Sequence, residues 1–221
     1  MFNRVIITSG PTIEPIDPVR FISNRSSGKT GFHLANEALK RNIPEIIYIT
    51  GPSCYIPQGV KCFPIETALE MQQHLNTFGP TADVIIMSAA VSDYRVAKYS
   101  QLKIKKGQDN LVLELIKNPD LLTELGKKKP TGQILVGYAA ETHDIFENAR
   151  KKFINKNLDM LVLNEVSEQN PAFNTDHNQV YFLFEKETRK IERLDKTQLA
   201  SLIWDEIETL SGNRKTNHPE C

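Results

Sequence analysis

Residues 5–12 read Val-Ile-Ile-Thr-Ser-Gly-Pro-Thr, and residues 26–41 read Ser-Ser-Gly-Lys-Thr-Gly-Phe-His-Leu-Ala-Asn-Glu-Ala-Leu-Lys-Arg. The apolar run that opens the first stretch predicts a buried strand, which Gly10 and Pro11 end. In the second stretch, apolar residues recur with helical spacing from Gly28 to Arg41, which predicts a helix. A buried strand, a loop and a helix in this order begin a βαβ unit.

The same alternation continues along the chain. Further buried strands are predicted at 46–50, 84–87, 134–138 and 160–163, and helices at 67–78, 119–128 and 144–155. We expect Asn118 to cap the second of these helices, with Pro119 at its first position. The alternation predicts a Rossmann-like α/β fold with a doubly wound, mostly parallel sheet.

Two segments depart from the alternation. Residues 111–115 alternate as a strand, and 180–184 with 190–194 predict a hairpin. We expect these segments to form an antiparallel addition that extends an edge of the sheet or contacts another subunit. A last helix is predicted at 196–210, so that 1–211 form a single domain and 212–221 a flexible tail.

Composition excludes several classes of protein. The 221 residues carry 27 basic and 27 acidic side chains, so no overall field attracts nucleic acid or an anionic membrane. No apolar segment approaches the roughly 20 residues that span a bilayer. The three cysteines, at 54, 62 and 221, fit neither a disulfide framework nor a zinc site. We therefore expect a cytoplasmic protein with reduced thiols.

The loop before the first helix has the composition of an anion site. Ser26, Ser27 and Gly28 lie where helix N–H groups and the positive end of the helix dipole meet a ligand, so we expect them to bind a phosphate. A Walker A loop is excluded, because Ser23 stands where that motif requires glycine. The alternative is that Ser26 or Ser27 only caps the helix.

Polar or small residues follow the predicted strands, at 9–12, 88–95, 139–142 and 164. Ligands of open α/β sheets bind beyond the carboxyl ends of the strands, so these residues form one candidate site. Lysines suited to a polyphosphate are found nearby in sequence, at 103–106 and 150–156. The alternative for each basic run is a solvated surface.

Seven strings in this chain resemble those of the phosphopantothenate-cysteine ligases, also called phosphopantothenoylcysteine synthetases, and they occur in that family's order. They are SGPT (9–12), DPVR (17–20), SNRSSGK (23–29), AAVSDYR (89–95), KIKK (103–106), KNPD (117–120) and AAET (139–142). The resemblance extends from about residue 3 to 210. Many bacterial members are fused behind a flavin-dependent decarboxylase, whereas this chain is similar to the free-standing form.

The resemblance implies a homodimeric ligase of coenzyme A biosynthesis. Such an enzyme activates the carboxylate of 4'-phosphopantothenate with CTP, or with ATP in eukaryotic members, and releases pyrophosphate. The amine of L-cysteine then attacks the acyl-cytidylate and CMP leaves. Mg²⁺ would bridge phosphate oxygens. The resemblance also implies functional coupling to a separate phosphopantothenoylcysteine decarboxylase.

The resemblance assigns roles to residues of this sequence. Asn24, Arg20 and Lys103 are the expected catalytic residues, and Arg20, Asn24 and Ser26 are expected to bind the substrate. The expected nucleotide-binding residues are Gly10, Ser27, Gly28, Ala90, Asp93, Lys103, Ala139, Ala140, Phe173, Lys152 and Lys156. Metal ligands stay unassigned. For Asp93 the alternative is a turn cap after a strand, and for Arg20 and Asn24 it is loop scaffolding.

Two other functions compete with the ligase. A nicotinamide-dependent oxidoreductase needs Gly-x-Gly-x-x-Gly after the first strand, and this chain has Ser-Gly-Pro-Thr there. A catalytically silent nucleotide-binding subunit should have lost Asn24, Arg20 or Lys103, and all three are present. Ile13 and Ser92 depart from residues common in the family, Arg and Ala. The sequence does not decide whether the enzyme uses CTP or ATP. It also leaves open whether the phosphate bound by residues 26–28 belongs to the nucleotide or to 4'-phosphopantothenate.

Overall fold

The computed structural model of the protein describes residues 1–107, 110–167, 170 and 175–217. Its strands are β1 (Arg4–Ser9), β2 (Ile13–Pro15), β3 (Phe21–Ser23), β4 (Glu45–Thr50), β5 (Lys61–Pro64), β6 (Val84–Met87), β7 (Tyr94–Val96), β8 (Leu115–Lys117), β9 (Ile134–Glu141), β10 (Met160–Glu165), β11 (His177–Leu183) and β12 (Thr188–Asp195). Its helices are α1 (Lys29–Lys40), α2 (Ala68–Phe78), α3 (Leu121–Lys128), α4 (Ile145–Asn155) and α5 (Lys196–Asn217), with a short 3₁₀ turn at Gly79–Thr81.

Eight strands form the central sheet in the order β12-β11-β10-β9-β6-β1-β4-β5. The six strands from β10 to β5 are parallel, while β11 and β12 add an antiparallel hairpin to the β10 edge. The predicted fold class is therefore confirmed, as is the prediction that the hairpin extends an edge. From β1 the chain builds outward to β4 and β5 and then returns to β6, so strand order reverses between β1 and β6.

The helices cover both faces of the sheet because its central strands are apolar on both sides. In β1, Val5 and Ile7 pack on the face covered by α1 and α5, and Ile6 packs on the opposite face, against residues of α2, α3 and α4. Trp204 of α5 is fully buried and its indole N–H donates to the Leu34 carbonyl of α1 at 2.9 Å. The single tryptophan thus has a packing role in the core.

Two small antiparallel sheets lie apart from the main one. One pairs β2 with β3, and the other pairs β7 with β8. The predicted strand at 111–115 is wrong, because only Leu115–Lys117 pairs with β7 and residues 111–114 form no strand. The apolar side chains in this segment alternate, but no helix or sheet of the described residues covers them, and Val112 is 86% exposed. Strand β5, at the far edge, was not predicted.

Two helix ends also differ from the sequence prediction. Asp120, rather than Asn118, caps α3, since its carboxylate accepts a hydrogen bond from the Thr123 N–H at 3.0 Å. Asn118 is used elsewhere, because its amide joins the Ser92 carbonyl to the Arg95 guanidinium. Helix α5 continues to Asn217, beyond the predicted end at Leu210, and residues 218–221 of the predicted tail lie outside the described residues.

None of the described helices has the length and apolar character needed to cross a membrane.

Gly51, directly after β4, packs closely against the backbone of the loop that follows β1. A Cβ atom placed on Gly51 would lie 1.6 Å from the Pro11 carbonyl oxygen. We predict that Gly51→Ala lowers the free energy of unfolding by about 3 kcal/mol or more, because two backbone segments must separate. Denaturant titration followed by Trp204 fluorescence measures this change.

Gly212→Ala is the matched control. A Cβ on Gly212 meets nothing within 4 Å, and the residue lies in α5, where alanine favours the helix by up to about 1 kcal/mol. Its stability should therefore stay equal or rise. A Gly51→Ala protein as stable as the control would contradict the close approach.

Candidate active site

Two neighbouring cavities open at the carboxyl edge of the parallel strands. The α1 cavity, of about 160 Å³, lies beside the start of α1, and the α4 cavity, of about 610 Å³, lies beside α3 and α4. They share a wall made of Ala89, Ala90, Tyr138, Ala139 and Ala140. Four of these five side chains are methyl groups, so ligands in the two cavities can approach each other closely across this wall.

Backbone hydrogen bonds fix the wall to the loop after β1. The Ala90 N–H donates to the Gly10 carbonyl at 2.9 Å, and the Thr12 N–H donates to the Ala90 carbonyl at 3.1 Å. The Asn24 side-chain amide also donates to the Ala90 carbonyl, at 2.9 Å. Gly10 is buried with φ +71° and lines neither cavity, so it supports this junction, whereas exposed Asn24 lies directly beside the shared wall.

The N-terminus of α1 faces the α1 cavity, which Ser26, Ser27 and Gly28 line. Gly28, at the N-cap position, adopts φ +82° and has no side chain to cap the helix. The Ser26 hydroxyl accepts the Gly28 N–H at 3.4 Å, and the Ser27 hydroxyl accepts the N–H of Lys29, the first residue of α1, at 3.5 Å. The alternative of a serine cap therefore stays open, and the positive end of the helix dipole lies beside the cavity.

Three buried side-chain atoms of the described residues have no hydrogen-bond partner, and each belongs to a residue that lines a cavity. They are the Ser92 hydroxyl of the α4 cavity, the Asn178 amide oxygen of the α1 cavity, and the hydroxyl of Tyr138, which lines both. Burial raises the pKa of the Tyr138 hydroxyl far above its usual value, so it stays a donor. Unpaired buried polar groups cost stability unless a ligand satisfies them.

The α4 cavity brings together several predicted nucleotide-binding residues. Lys152 and Lys156 line it, paired with Glu141 at 2.5 Å and with Asp120 at 3.0 Å. Asp93 lines the same cavity, and within the described residues its carboxylate has no hydrogen-bond or ion-pair partner. Because that carboxylate accepts no backbone N–H, the structure gives no support to the alternative of a turn cap.

Arg20 and Lys103 lie together in a separate cavity of about 840 Å³, which residues 103–107, 110 and 111 also line. The Arg20 guanidinium is paired with the buried carboxylate of Asp17. Within one chain, the structure therefore does not bring Lys103 to the cavity that holds Lys152 and Lys156. Phe173 lies outside the described residues.

Sequence reasoning missed three residues that line the α1 cavity. The sequence predicts a buried strand at Tyr138, whose hydroxyl is the only polar signal in an otherwise apolar run. Asn178 and Lys196 lie at the two ends of the hairpin region, where no motif marked them. Lys196 is only 6% exposed, and burial followed by the charge of Lys29 lowers the pKa of its ammonium group. It adds positive charge to the cavity that the start of α1 also lines.

Across the residues that the structure describes, no group of three or more His, Cys, Asp or Glu side chains lies close enough to hold a metal ion.

Tyr138→Phe removes an unpaired buried hydroxyl, and Tyr48→Phe is its control because the Tyr48 hydroxyl donates to the Tyr55 carbonyl at 3.2 Å. Without ligand, we predict that Tyr138→Phe leaves the free energy of unfolding equal or raises it by about 1 kcal/mol, whereas Tyr48→Phe lowers it by about 1 kcal/mol. Denaturant titration checks both. An equal loss in the two variants would show that the Tyr138 hydroxyl has a protein partner.

Comparison with known proteins identifies the family. Residues 2–210 match the family described as the DNA/pantothenate metabolism flavoprotein C-terminal domain. The chain is 40% identical over 210 residues to the coenzyme A biosynthesis bifunctional protein CoaBC of Escherichia coli (strain K12), covering 93% of this chain and 52% of that protein. It thus spans about half the length of this curated relative.

Solved structures agree with this result. The crystal structure of the C-terminal domain of CoaBC superposes with a TM-score of 0.80 at 34% identity, covering 96% of each chain. A Cab2 mutant in complex with phosphopantothenate-cysteine also gives a TM-score of 0.80, but at 19% identity it supports the fold alone, over 99% of this chain and 89% of that one. The chain belongs to the family of the DNA/pantothenate metabolism flavoprotein C-terminal domain.

Proposed function

We propose that this chain is a phosphopantothenate-cysteine ligase that forms an acyl-cytidylate from 4'-phosphopantothenate and CTP and then transfers the acyl group to the amine of L-cysteine. The observation that carries the proposal is the pair of cavities that meet at one wall of small side chains. A ligase of this type must bring a carboxylate against an α-phosphate, so it needs two ligand sites with a shared boundary.

The α4 cavity suits the nucleotide. Its volume of about 610 Å³ accepts a nucleoside, and the ammonium groups of Lys152 and Lys156 can exchange their carboxylate partners for phosphate oxygens. Asp93 accepts hydrogen bonds from a ribose or a base. The unpaired hydroxyls of Ser92 and Tyr138 add further hydrogen-bonding capacity at this nucleotide site.

The α1 cavity suits the phosphate end of 4'-phosphopantothenate. The positive end of the helix dipole at the start of α1 and the buried ammonium of Lys196 offer positive charge to an anion. The phosphate expected at Ser26, Ser27 and Gly28 then belongs to 4'-phosphopantothenate rather than to CTP. This assignment leaves the substrate carboxylate to meet the nucleotide at Ala89, Ala90 and Ala140.

Repulsion between the carboxylate and the α-phosphate is the main barrier to the first step, and positive charge at the shared wall lowers it. Mg²⁺ would supply part of that charge through phosphate and water ligands, as hard cations do. Asn24 lies beside the wall. Its side-chain N–H donates to the Ala90 carbonyl, and its side-chain oxygen Oδ1 is available as an acceptor. We assign Asn24 the role of orienting the acyl-nucleotide during attack by cysteine.

A homodimer is part of the proposal. Large apolar side chains are exposed on the two small sheets, at Phe21 (55%), Tyr94 (46%) and Leu115 (44%), and between β2 and β3, at Val19 (57%). Exposed apolar groups gathered on such additions are typical of subunit contacts. In a dimer, Arg20 and Lys103 of one subunit can act on the nucleotide of the other.

Coupling to a phosphopantothenoylcysteine decarboxylase is proposed from the bifunctional relative.

The assay that tests this function mixes the purified protein with 4'-phosphopantothenate, Mg²⁺ and either CTP or ATP. We expect pyrophosphate release with CTP and, once cysteine is added, phosphopantothenoylcysteine and CMP by mass spectrometry. Product with ATP alone would overturn the choice of nucleotide. No turnover with either nucleotide by a folded protein would favour a silent nucleotide-binding subunit.

Lys152→Gln tests the nucleotide site, and Lys151→Gln is its neighbour control, since Lys151 is exposed and paired with Glu147 on α4. We predict that the KM for the nucleotide rises about tenfold or more in Lys152→Gln, because a charge-assisted contact to phosphate is lost. The control should change by less than about twofold. Equal effects in the two variants would remove Lys152 from the nucleotide site.

A further inference from the structure

The string DPVR (17–20) contains a buried acid to which the proposed chemistry gives no role. The side chain of Asp17 is 0% exposed and lies beside Arg20, whose side chain is 42% exposed. Asp17 and Arg20 follow β2, whereas the basic segment 103–106 lies between β7 and β8, far away in sequence. The two segments nevertheless line one cavity.

Asp17 accepts five hydrogen bonds. Its Oδ1 accepts from the N–H groups of Val19 and Arg20, both at 2.9 Å. Its Oδ2 accepts from Nε of Arg20 at 3.1 Å, from Nη2 of Arg20, and from the N–H of Ile104 at 3.1 Å. A carboxylate with this many donors is held in one orientation and stays ionised, and the Arg20 guanidinium followed by these backbone N–H groups holds the pKa of Asp17 far below its usual range.

The same cluster holds both polar backbone groups of Ile104. The Ile104 N–H donates to Asp17, and the Ile104 carbonyl accepts from Nη2 of Arg20 at 2.9 Å. A second contact joins the two segments, because the Ser100 N–H donates to the Ile16 carbonyl at 3.0 Å. Between β7 and β8, the described residues 97–107 and 110–114 contain no helix or strand, so these bonds take the place of regular secondary structure.

The charges of the cluster are arranged to leave the lysines available. Lys103, Lys105 and Lys106 are exposed, and within the described residues none of their ammonium groups has an ion-pair or hydrogen-bond partner. Arg20 neutralises Asp17 at its own site, so the buried carboxylate does not draw in the neighbouring ammonium groups. The backbone is thus fixed at Ile104 while the side chains on either side stay free for an anion.

We propose that Asp17 is a positioning residue for Lys103: its buried carboxylate fixes the backbone of Ile104, and this fixes where the ammonium group of Lys103 can reach. The binding of a nucleoside triphosphate by Lys103 rests on the proposed function. The ordering of the 103–106 loop by Asp17 does not. Arg20 contributes by closing the cluster on the Ile104 carbonyl.

The first test measures loop order without any activity. Trypsin cleaves after lysine, so mass spectrometry of limited digests gives the cleavage rate at Lys103, Lys105 and Lys106. We expect Asp17→Asn to raise this rate about tenfold, because an amide cannot accept all five donors. Asp83→Asn is the control, since its carboxylate accepts the N–H groups of Asn3 and Arg4 at the opposite end of the sheet. Equal rates in wild type and Asp17→Asn would overturn the proposal.

Ile104→Pro covers the case in which Asp17→Asn does not fold. It removes the N–H donor at residue 104 and leaves the pair of Asp17 and Arg20 intact. Cleavage after Lys105 and Lys106 should again rise about tenfold, whereas the bond from Lys103 to the new proline resists trypsin and is left out of the comparison. An unchanged rate in this variant would show that the bond from Ile104 to Asp17 does not order the loop.

The second test is a double-mutant cycle on nucleotide turnover with Asp17→Asn and Lys103→Gln. If Asp17 acts through Lys103, Asp17→Asn lowers kcat/KM about tenfold in the wild-type background and changes it by less than about twofold in the Lys103→Gln background. Additive effects would overturn action through Lys103. A protein that shows the proteolysis result but no ligase activity with any nucleotide would refute the proposed function and leave the fixing of the loop standing.

Discussion

The reversal of strand order between β1 and β6 is the constraint on which the rest of the structure depends. Two strands that are neighbours in the sheet send their chains to opposite sides, so a crevice must open where they part. In this protein the crevice is bridged by backbone bonds between Gly10, Ala90 and Thr12, and Gly51 packs against the same junction. These bonds turn one crevice into two cavities with a common wall.

Electrostatics then distinguish the two cavities. In the α1 cavity, positive charge comes from the start of α1 and from the buried ammonium of Lys196, which donates to the Thr175 carbonyl rather than to a carboxylate. In the α4 cavity, Lys152 and Lys156 each already have a carboxylate partner. The loop at 103–106 presents a third group of cations, ordered through its backbone by Asp17. The protein therefore holds its cations in three different electrostatic settings.

The sequence predicted the parallel sheet, most of its elements and a candidate site at the carboxyl ends of the strands, because long apolar runs and polar strand ends are local signals. It failed where tertiary contacts override local rules. Asn118 looks like a helix cap, but Ser92 and Arg95 already use its amide. The edge strand at 61–64 contains too few apolar residues to be recognised. Tyr138 and Asn178 matter only because folding buries their polar atoms at a cavity, which no spacing along the chain reveals.

The paired lysines of the α4 cavity have a consequence for discrimination among anions. Because Glu141 and Asp120 act as built-in counter-ions, an anion that binds to Lys152 or Lys156 must first displace a carboxylate. Under the proposed function, a small anion would displace one carboxylate and meet the other, whereas a chain of linked phosphates would displace both. The two ion pairs would thus favour polyphosphates over single anions.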